Sequence, residues 1–227
     1  MPLLVKISGL RTPEALDVAL ESGADMVGFV FFAPSPRHLG LPAARDLGAR
    51  VRGRAKKVAL TVDATDEMLF DIVEALKPDV LQLHGSETPE RVSTVRSRFG
   101  LPVMKALPIE TRSDLSPIRL YAKVADRILF DARAPQDATR PGGLGKRFDW
   151  KLLKDIDPEI SFMLSGGLDA RNVTEALRIT RASAVDVSSG VERKPGVKDL
   201  DKIRAFIRAA RQTDVMDLGA ANLVSRA

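Results

Sequence analysis

A closed (β/α)8 barrel is the fold this sequence predicts, and three observations predict it. Short apolar, β-branched runs alternate with segments of helical spacing, the two kinds recur together eight times, and no linker or low-complexity stretch divides them. Strands that alternate with helices demand a parallel sheet whose crossovers are the helices. Eight such units in just over two hundred residues suit a closed barrel better than an open doubly wound sheet. The open sheet is the competing reading, but no G-x-G-x-x-G follows the first run, where a dinucleotide-binding fold would carry it.

The runs are LLVKI (3–7), MVGFVF (26–31), KVALTV (57–62), DVLQL (79–83), PVMKAL (102–107), RILFD (127–131), ISFML (160–164) and AVDVS (184–188). The helical segments between and after them cover 12–23, 41–51, 65–76, 88–100, 113–124, 149–156, 169–181 and 197–211. Thr12-Pro13 and Thr88-Pro89 are entry signals, a hydroxyl to cap and a proline at the first helical position; Asp169 is read as a third. Gly23 and Gly100 close two of the segments. Residues 1–212 are therefore expected to form one barrel domain. The remainder, 213–227 (TDVMDLGAANLVSRA), loses helical periodicity and reads as a loosely ordered tail.

Composition narrows the functional classes. The 227 residues carry a net charge of +5, with 44% hydrophobic and 29% charged residues, ordinary values for a soluble protein. No apolar run approaches the roughly 20 residues that span a bilayer, and no secretory signal is evident, so a cytoplasmic location is expected. The absence of cysteine excludes disulfides and thiolate metal sites. The basic balance invites a nucleic-acid reading. Yet its densest stretch, Arg50, Arg52, Arg54, Lys56 and Lys57, holds no aromatic residue and falls at a helix end, where cations suit the dipole. No nucleic-acid or membrane partner is expected, and a protein handling small anionic metabolites explains the charge as well.

Strand parity then gathers an unusual polar set. In a barrel, alternate strand residues point inward and active sites sit at the strands' C-terminal ends. On that parity Lys6, Ser8, Gln82, His84, Lys105, Asp131, Asp186 and Ser188 are read as inward, whereas Ile7, Leu83 and Val187 face the helices. Any one of them could be a buried polar group satisfied by its neighbours; together at one end of one cavity they read as a site. The last two strands run into Ser165-Gly166-Gly167-Leu168 and Ser188-Ser189-Gly190-Val191. Glycines there let backbone N–H groups approach an anion, so Gly166, Gly167, Ser188 and Ser189 are the expected phosphate site. With no lysine or arginine in either loop before Arg171, main-chain donors are expected to dominate.

Seven stretches, VKISGL (5–10), GFVFFAPSPRH (28–38), QLHG (82–85), LFDA (129–132), GGLGKRFDW (142–150), LSGGL (164–168) and VDVSSGVE (185–192), carry a resemblance. In order and spacing the chain resembles the phosphoribosylanthranilate isomerases of tryptophan biosynthesis from residue 3 to about 211. The resemblance implies a cofactor-free, metal-free Amadori rearrangement, in which N-(5-phosphoribosyl)anthranilate becomes an aminodeoxyribulose phosphate. By motif position Asp131 is the general acid and Arg37 holds the anthranilate carboxylate, while His84, Gln82 and Asp186 bind substrate. The general base of the family is a cysteine, in K-x-C-G, and this chain has Ser8 there. An alkanol is a far weaker acid than a thiol and needs a neighbouring base, for which Lys6 and His84 are the candidates. The alternative is a substitution that disables the base and leaves a phosphosugar-binding barrel without turnover. Indole-glycerol-phosphate synthase and the histidine-pathway isomerase rank lower; the second has an aspartate, not a serine, ending strand one. A monomer is expected rather than a dimer.

Overall fold

The computed structural model describes residues 2–135 and 137–224, with side chains described as far as residue 213. Eight parallel strands close in chain order: β1 (Leu4–Ser8), β2 (Met26–Phe31), β3 (Lys56–Thr61), β4 (Val80–Leu83), β5 (Val103–Ile109), β6 (Arg127–Ala132), β7 (Phe162–Leu164) and β8 (Ala184–Val187). Around them lie α1 (Pro13–Glu21), α2 (Leu41–Val51), α3 (Asp66–Leu76), α4 (Pro89–Phe99), α5 (Ile118–Ala122), α6 (Val173–Thr180) and α7 (Leu200–Val224). A short hairpin, β9 (Glu192–Lys194) and β10 (Val197–Lys198), follows β8. The (β/α)8 barrel expected from the sequence is the fold observed. No helix among the described residues is long and apolar enough to cross a membrane.

The helix starts follow from their caps. The hydroxyls of Thr12, Thr65 and Thr88 each accept a hydrogen bond from the N–H three residues on, at 3.3 Å, satisfying donors that the first turn leaves open. Gly100 ends α4 at φ 63°, and Gly23 sits one residue past the α1 cap at φ 90°. Of the basic stretch, Arg50 forks onto Asp17 with both Nε and Nη2, and Arg54 lies 3.9 Å from the same carboxylate. These cations tie α2 to α1.

Four elements differ from expectation. The segment 113–124 is broken by Pro117, which splits it into a 3-10 turn at Arg112–Leu115 and the short α5. Residues 149–156 form only a 3-10 turn, Trp150–Leu153, capped by Asp149; Pro158 follows closely and disfavours further helix. The entry to α6 is Asn172 rather than Asp169. Finally, α7 runs to Val224, past the boundary expected near Gln212. A helix already nucleated propagates at low cost, and the one glycine it crosses, Gly219, costs only about 1 kcal/mol. Residues 225–227 of the expected tail lie outside the described residues.

The core has two parts. Met26, Val58, Val80, Met104, Ala106, Leu129, Met163 and Ala184 fill the lower barrel interior, while a larger apolar shell joins the outer strand faces to the helices. This inner set, with Leu4 of β1 packed against it, fixes the parity of the strands and so decides which polar residues reach the mouth. In β5, Met104 and Ala106 point inward, which turns Lys105 outward. The sequence reading of Lys105 as an inward residue is thus corrected. Its ammonium pairs with Glu87 at 2.8 Å, donates to the Gly85 carbonyl at 2.7 Å and lies 5.9 Å from the Tyr121 ring centre.

Candidate active site

Barrel closure sets the first cluster. The β1–β8 register places Lys6 beside Asp186, both on inward positions. The Lys6 ammonium is wholly buried, 3.2 Å from Asp186 Oδ1. Ser8, one inward step higher, donates its hydroxyl to the same Oδ1 at 2.6 Å, and Ser165 donates to Oδ2 at 3.2 Å. Ser8 pairs in register with Gly28, and a Cβ at Gly28 would stand 2.7 Å from Ser8 Oγ. The bare backbone of β2 therefore makes the room in which this hydroxyl sits.

The second cluster hangs from the same lysine. Lys6 donates to Gln82 Oε1 at 2.5 Å, which turns the Gln82 amide nitrogen towards His84 Nδ1 at 3.2 Å. An amide nitrogen only donates, so Nδ1 accepts and the imidazole carries its proton on Nε2. That Nε2–H points at Asp131 Oδ2, 3.3 Å away, while the Ala132 N–H donates to Asp131 Oδ1 at 2.9 Å. Lys6 thus orients both halves of the mouth, Asp186 and Ser8 on one side and His84 and Asp131 on the other.

Cations converge on the third cluster. The turn after β2, in which Ser35 Oγ accepts from the Arg37 N–H at 3.1 Å, aims Arg37 into the mouth. Its Nε and Nη2 fork onto the two oxygens of Glu192 at 2.8 Å each, and Nη2 also reaches the Gly143 carbonyl at 3.0 Å. Lys198, on β10, pairs with Glu192 at 3.0 Å and donates to the Ser188 carbonyl at 2.8 Å. Burial works to raise the Glu192 carboxyl, but Arg37 and Lys198 outweigh it and hold it below the usual range. Arg140 stands close by, its Nε buried without a hydrogen-bond partner among the described residues. Burial and then the charge of Arg37 hold Arg140 below the usual arginine value.

Burial pulls the Lys198 ammonium down to about 8, against the attraction of Glu192. Below that pH the group is charged folded and unfolded, and its burial costs the fold a constant amount. Between about 8 and the ordinary lysine value of 10.5 the folded state sheds the proton while the unfolded chain keeps it, so stability gains with pH there. Lys198→Met should abolish that gain. Chemical denaturation between pH 7.5 and 10 should show the parent rising relative to the variant, by at most about 1.4 kcal/mol per pH unit. A constant difference across this range would contradict it.

The glycine loops close the far side. An added Cβ on Gly190 would lie 1.9 Å from the Leu168 carbonyl oxygen, so the loops after β7 and β8 touch only because that position is glycine. Among the described residues, no backbone hydrogen bond outside regular elements uses the N–H of Gly166 or Gly167. Asn172 anchors the first loop, donating to the Gly167 carbonyl and accepting from the Asp169 N–H, both at 2.9 Å. Ser188 spends its hydroxyl on the Ser8 carbonyl at 3.2 Å.

One cavity of about 780 Å³, counting its open mouth, brings these groups together. Ser8, Arg37, His84, Asp131, Asp186, Gly166, Gly167, Ser188 and Ser189 all line it. Gln82 lies fully buried beneath, bonded to Lys6 and His84. The sequence reading missed Glu192, Lys198, Arg140 and Asn172. Neither phosphate loop itself carries a lysine or arginine before Arg171, as read from sequence. The segment after β6 nevertheless brings basic residues to them from elsewhere in the chain: Lys146 and Arg147 pack against Gly167, and Lys146 lines the cavity.

An eight-stranded barrel whose mouth gathers carboxylates, a serine, clustered arginines and two glycine loops is a (β/α)8-barrel enzyme. Residues 5–209 match the family model described as N-(5'phosphoribosyl)anthranilate (PRA) isomerase, and the chain belongs to that family. It is 64% identical to the N-(5'-phosphoribosyl)anthranilate isomerase of Bradyrhizobium sp. (strain ORS 278), over 96% of this chain and 100% of that one. The Nitrobacter winogradskyi isomerase is also 64% identical, over 94% of this chain and 95% of its own. The crystal structure of phosphoribosyl anthranilate isomerase from Thermotoga maritima superposes with a TM-score of 0.84 at 35% identity, covering 92% of this chain and 99% of that one. A phosphoribosyl anthranilate isomerase in complex with reduced 1-(o-carboxyphenylamino)-1-deoxyribulose 5-phosphate superposes at 0.81 with 33% identity, over 92% and 99% of the two chains.

Proposed function

We propose that this protein isomerises N-(5'-phosphoribosyl)anthranilate to 1-(2-carboxyphenylamino)-1-deoxyribulose 5-phosphate. The observation that carries this reading is the gathering, in one cavity, of Asp131 and the Ser8–Asp186 pair, with an arginine cluster and two glycine loops among the lining. Asp131 is placed to protonate the ring oxygen of the furanose, opening it to the iminium. The group at position 8 then faces the C2 proton. The N–H groups of Gly166 and Gly167, with the Ser188-Ser189 backbone, hold the phosphate, and Lys146 adds charge. His84 orients Asp131, while Gln82 fixes the His84 tautomer from below.

Arg37 and Arg140 take the anthranilate carboxylate. Three cations, Arg37, Arg140 and Lys198, surround the single carboxylate of Glu192, and this excess of positive charge suits an incoming anion. Product formation by the purified protein, followed by chromatography, tests the reading; absence of turnover in both this chain and its Ser8→Cys variant would overturn it. Arg140→Gln should raise KM about tenfold and leave kcat within about twofold, because a carboxylate contact remote from the reacting carbon is made equally in ground and transition states. An unchanged KM would remove Arg140 from the binding site.

A further inference from the structure

We infer that Asp186 is the proton acceptor behind Ser8, so that the base of this enzyme is a serine–aspartate pair. The inference deepens the isomerase reading and rests on it. A lone alcohol cannot serve as a base at neutral pH, because its alkoxide is scarcely populated. Of the two neighbours considered from sequence, the ammonium of Lys6 is taken up by Gln82 and Asp186. His84 is bonded to Gln82 and Asp131. The Ser8 hydroxyl instead donates to Asp186 Oδ1 at 2.6 Å, a short bond of the kind an alcohol makes to a carboxylate. With its proton committed there, the lone pairs of Ser8 Oγ are the part available to the cavity, which Ser8 lines.

The step balances without a further reactant. The C2–H bond of the iminium breaks, and its electron pair becomes the C1–C2 double bond while the C=N pair moves onto nitrogen. Ser8 Oγ takes the C2 proton as its own proton passes to Asp186 Oδ1. The products are a neutral enolamine, an intact serine and a protonated aspartate. The charged and polar groups facing Asp186 are Lys6 and Ser8 from β1 and Ser165 from β7, with Lys198 on β10 sensing its charge. Asp186 acts through Ser8 and is in that sense a positioning residue for the base.

Turnover of N-(5'-phosphoribosyl)anthranilate by the parent, Ser8→Ala, Asp186→Asn, Ser8→Cys and Ser8→Cys/Asp186→Asn proteins tests this, with thermal melts to confirm folding. Ser8→Ala and Asp186→Asn should each lower kcat at least about tenfold, a threshold set below the ~10²–10⁴-fold that a positioned general base supplies. The factor lost on Asp186→Asn should be at least tenfold smaller in the Ser8→Cys background, since a thiol ionises without a carboxylate behind it. The ascending limb of the pH–rate profile should lie higher in Ser8→Cys than in the parent, as a thiol replaces a carboxylate-backed alcohol. A smaller loss in Ser8→Ala, or a closer match of the Asp186→Asn factors in the two backgrounds, overturns the pair. So does a parent without turnover beside an active Ser8→Cys protein. If Asp186→Asn fails to fold because Lys6 loses its counter-charge, Ser8→Ala decides alone, because it keeps the Lys6–Asp186 contact. Inactivity of both parent and Ser8→Cys would instead bring down the isomerase reading, and this inference with it.

Discussion

Asp131→Asn is expected to lower kcat by about 10²–10⁴-fold with KM within about threefold. The side chain keeps its shape, so the substrate should bind nearly as before; what disappears is the proton for the ring oxygen. The local hydrogen bonding also forbids an easy substitute. Gln82 holds the His84 proton on Nε2, aimed at Asp131, and the Ala132 N–H donates to the other oxygen. An asparagine has one acceptor for these two donors and must set its NH2 against one of them. The mismatch should destabilise the fold by about 1–3 kcal/mol, the usual penalty for a buried donor left unsatisfied. A variant that melts slightly lower and binds substrate but scarcely turns it over is the expected result. Retention of more than about a tenth of parental kcat would remove Asp131 from the acid role.

Much of this arrangement was legible because strand parity and chain order are local. Lys6, Ser8, Gln82, His84, Asp131 and Asp186 sit on strands whose inward partners, such as Leu4, Val80, Leu129 and Ala184, alternate cleanly with helix-facing residues. Once a barrel is granted, they meet. Lys105 failed because VMKAL has apolar residues on both faces of β5, so polarity carried no information about direction. Glu87, which draws Lys105 outward, lies in a loop whose path the sequence does not encode locally. The weak helices failed for a related reason: 113–124 and 149–156 have helical spacing, yet nearby prolines cut them short.

The groups that give the mouth its charge were the least legible. Glu192 and Lys198 lie on a hairpin after β8. The sequence reading has a glycine loop there and starts the last helix at 197, so it takes Lys198 as helical, whereas 197–198 form β10 and the helix begins at Leu200. Arg140 and Lys146 belong to the long segment after β6, where tertiary contacts rather than periodicity set the path. The link from Ser8 to Asp186 spans 178 residues and exists only because β1 and β8 pair when the barrel closes. Sequence spacing can show that both residues are inward; the register of closure decides that they touch.

Ser8→Cys is expected to raise kcat/KM at least about tenfold, a modest part of what an effective general base contributes. Sulfur is larger than oxygen, and the site accommodates it because Gly28 presents no Cβ beside position 8. The 2.6 Å contact with Asp186 must lengthen, so the thiol no longer depends on that carboxylate. Lys6, 3.2 Å from Asp186 and on the same strand face, supplies the nearby cation that favours a thiolate. KM should stay within about threefold, since serine and cysteine have similar shapes and the carboxylate and phosphate contacts lie elsewhere. Stability should move by less than about 1.5 kcal/mol, the range of near-isosteric swaps. Steady-state kinetics against pH provide the check. An unchanged kcat/KM, with an unchanged ascending limb, would mean that position 8 does not contact the C2 proton and that the base stands elsewhere in the mouth.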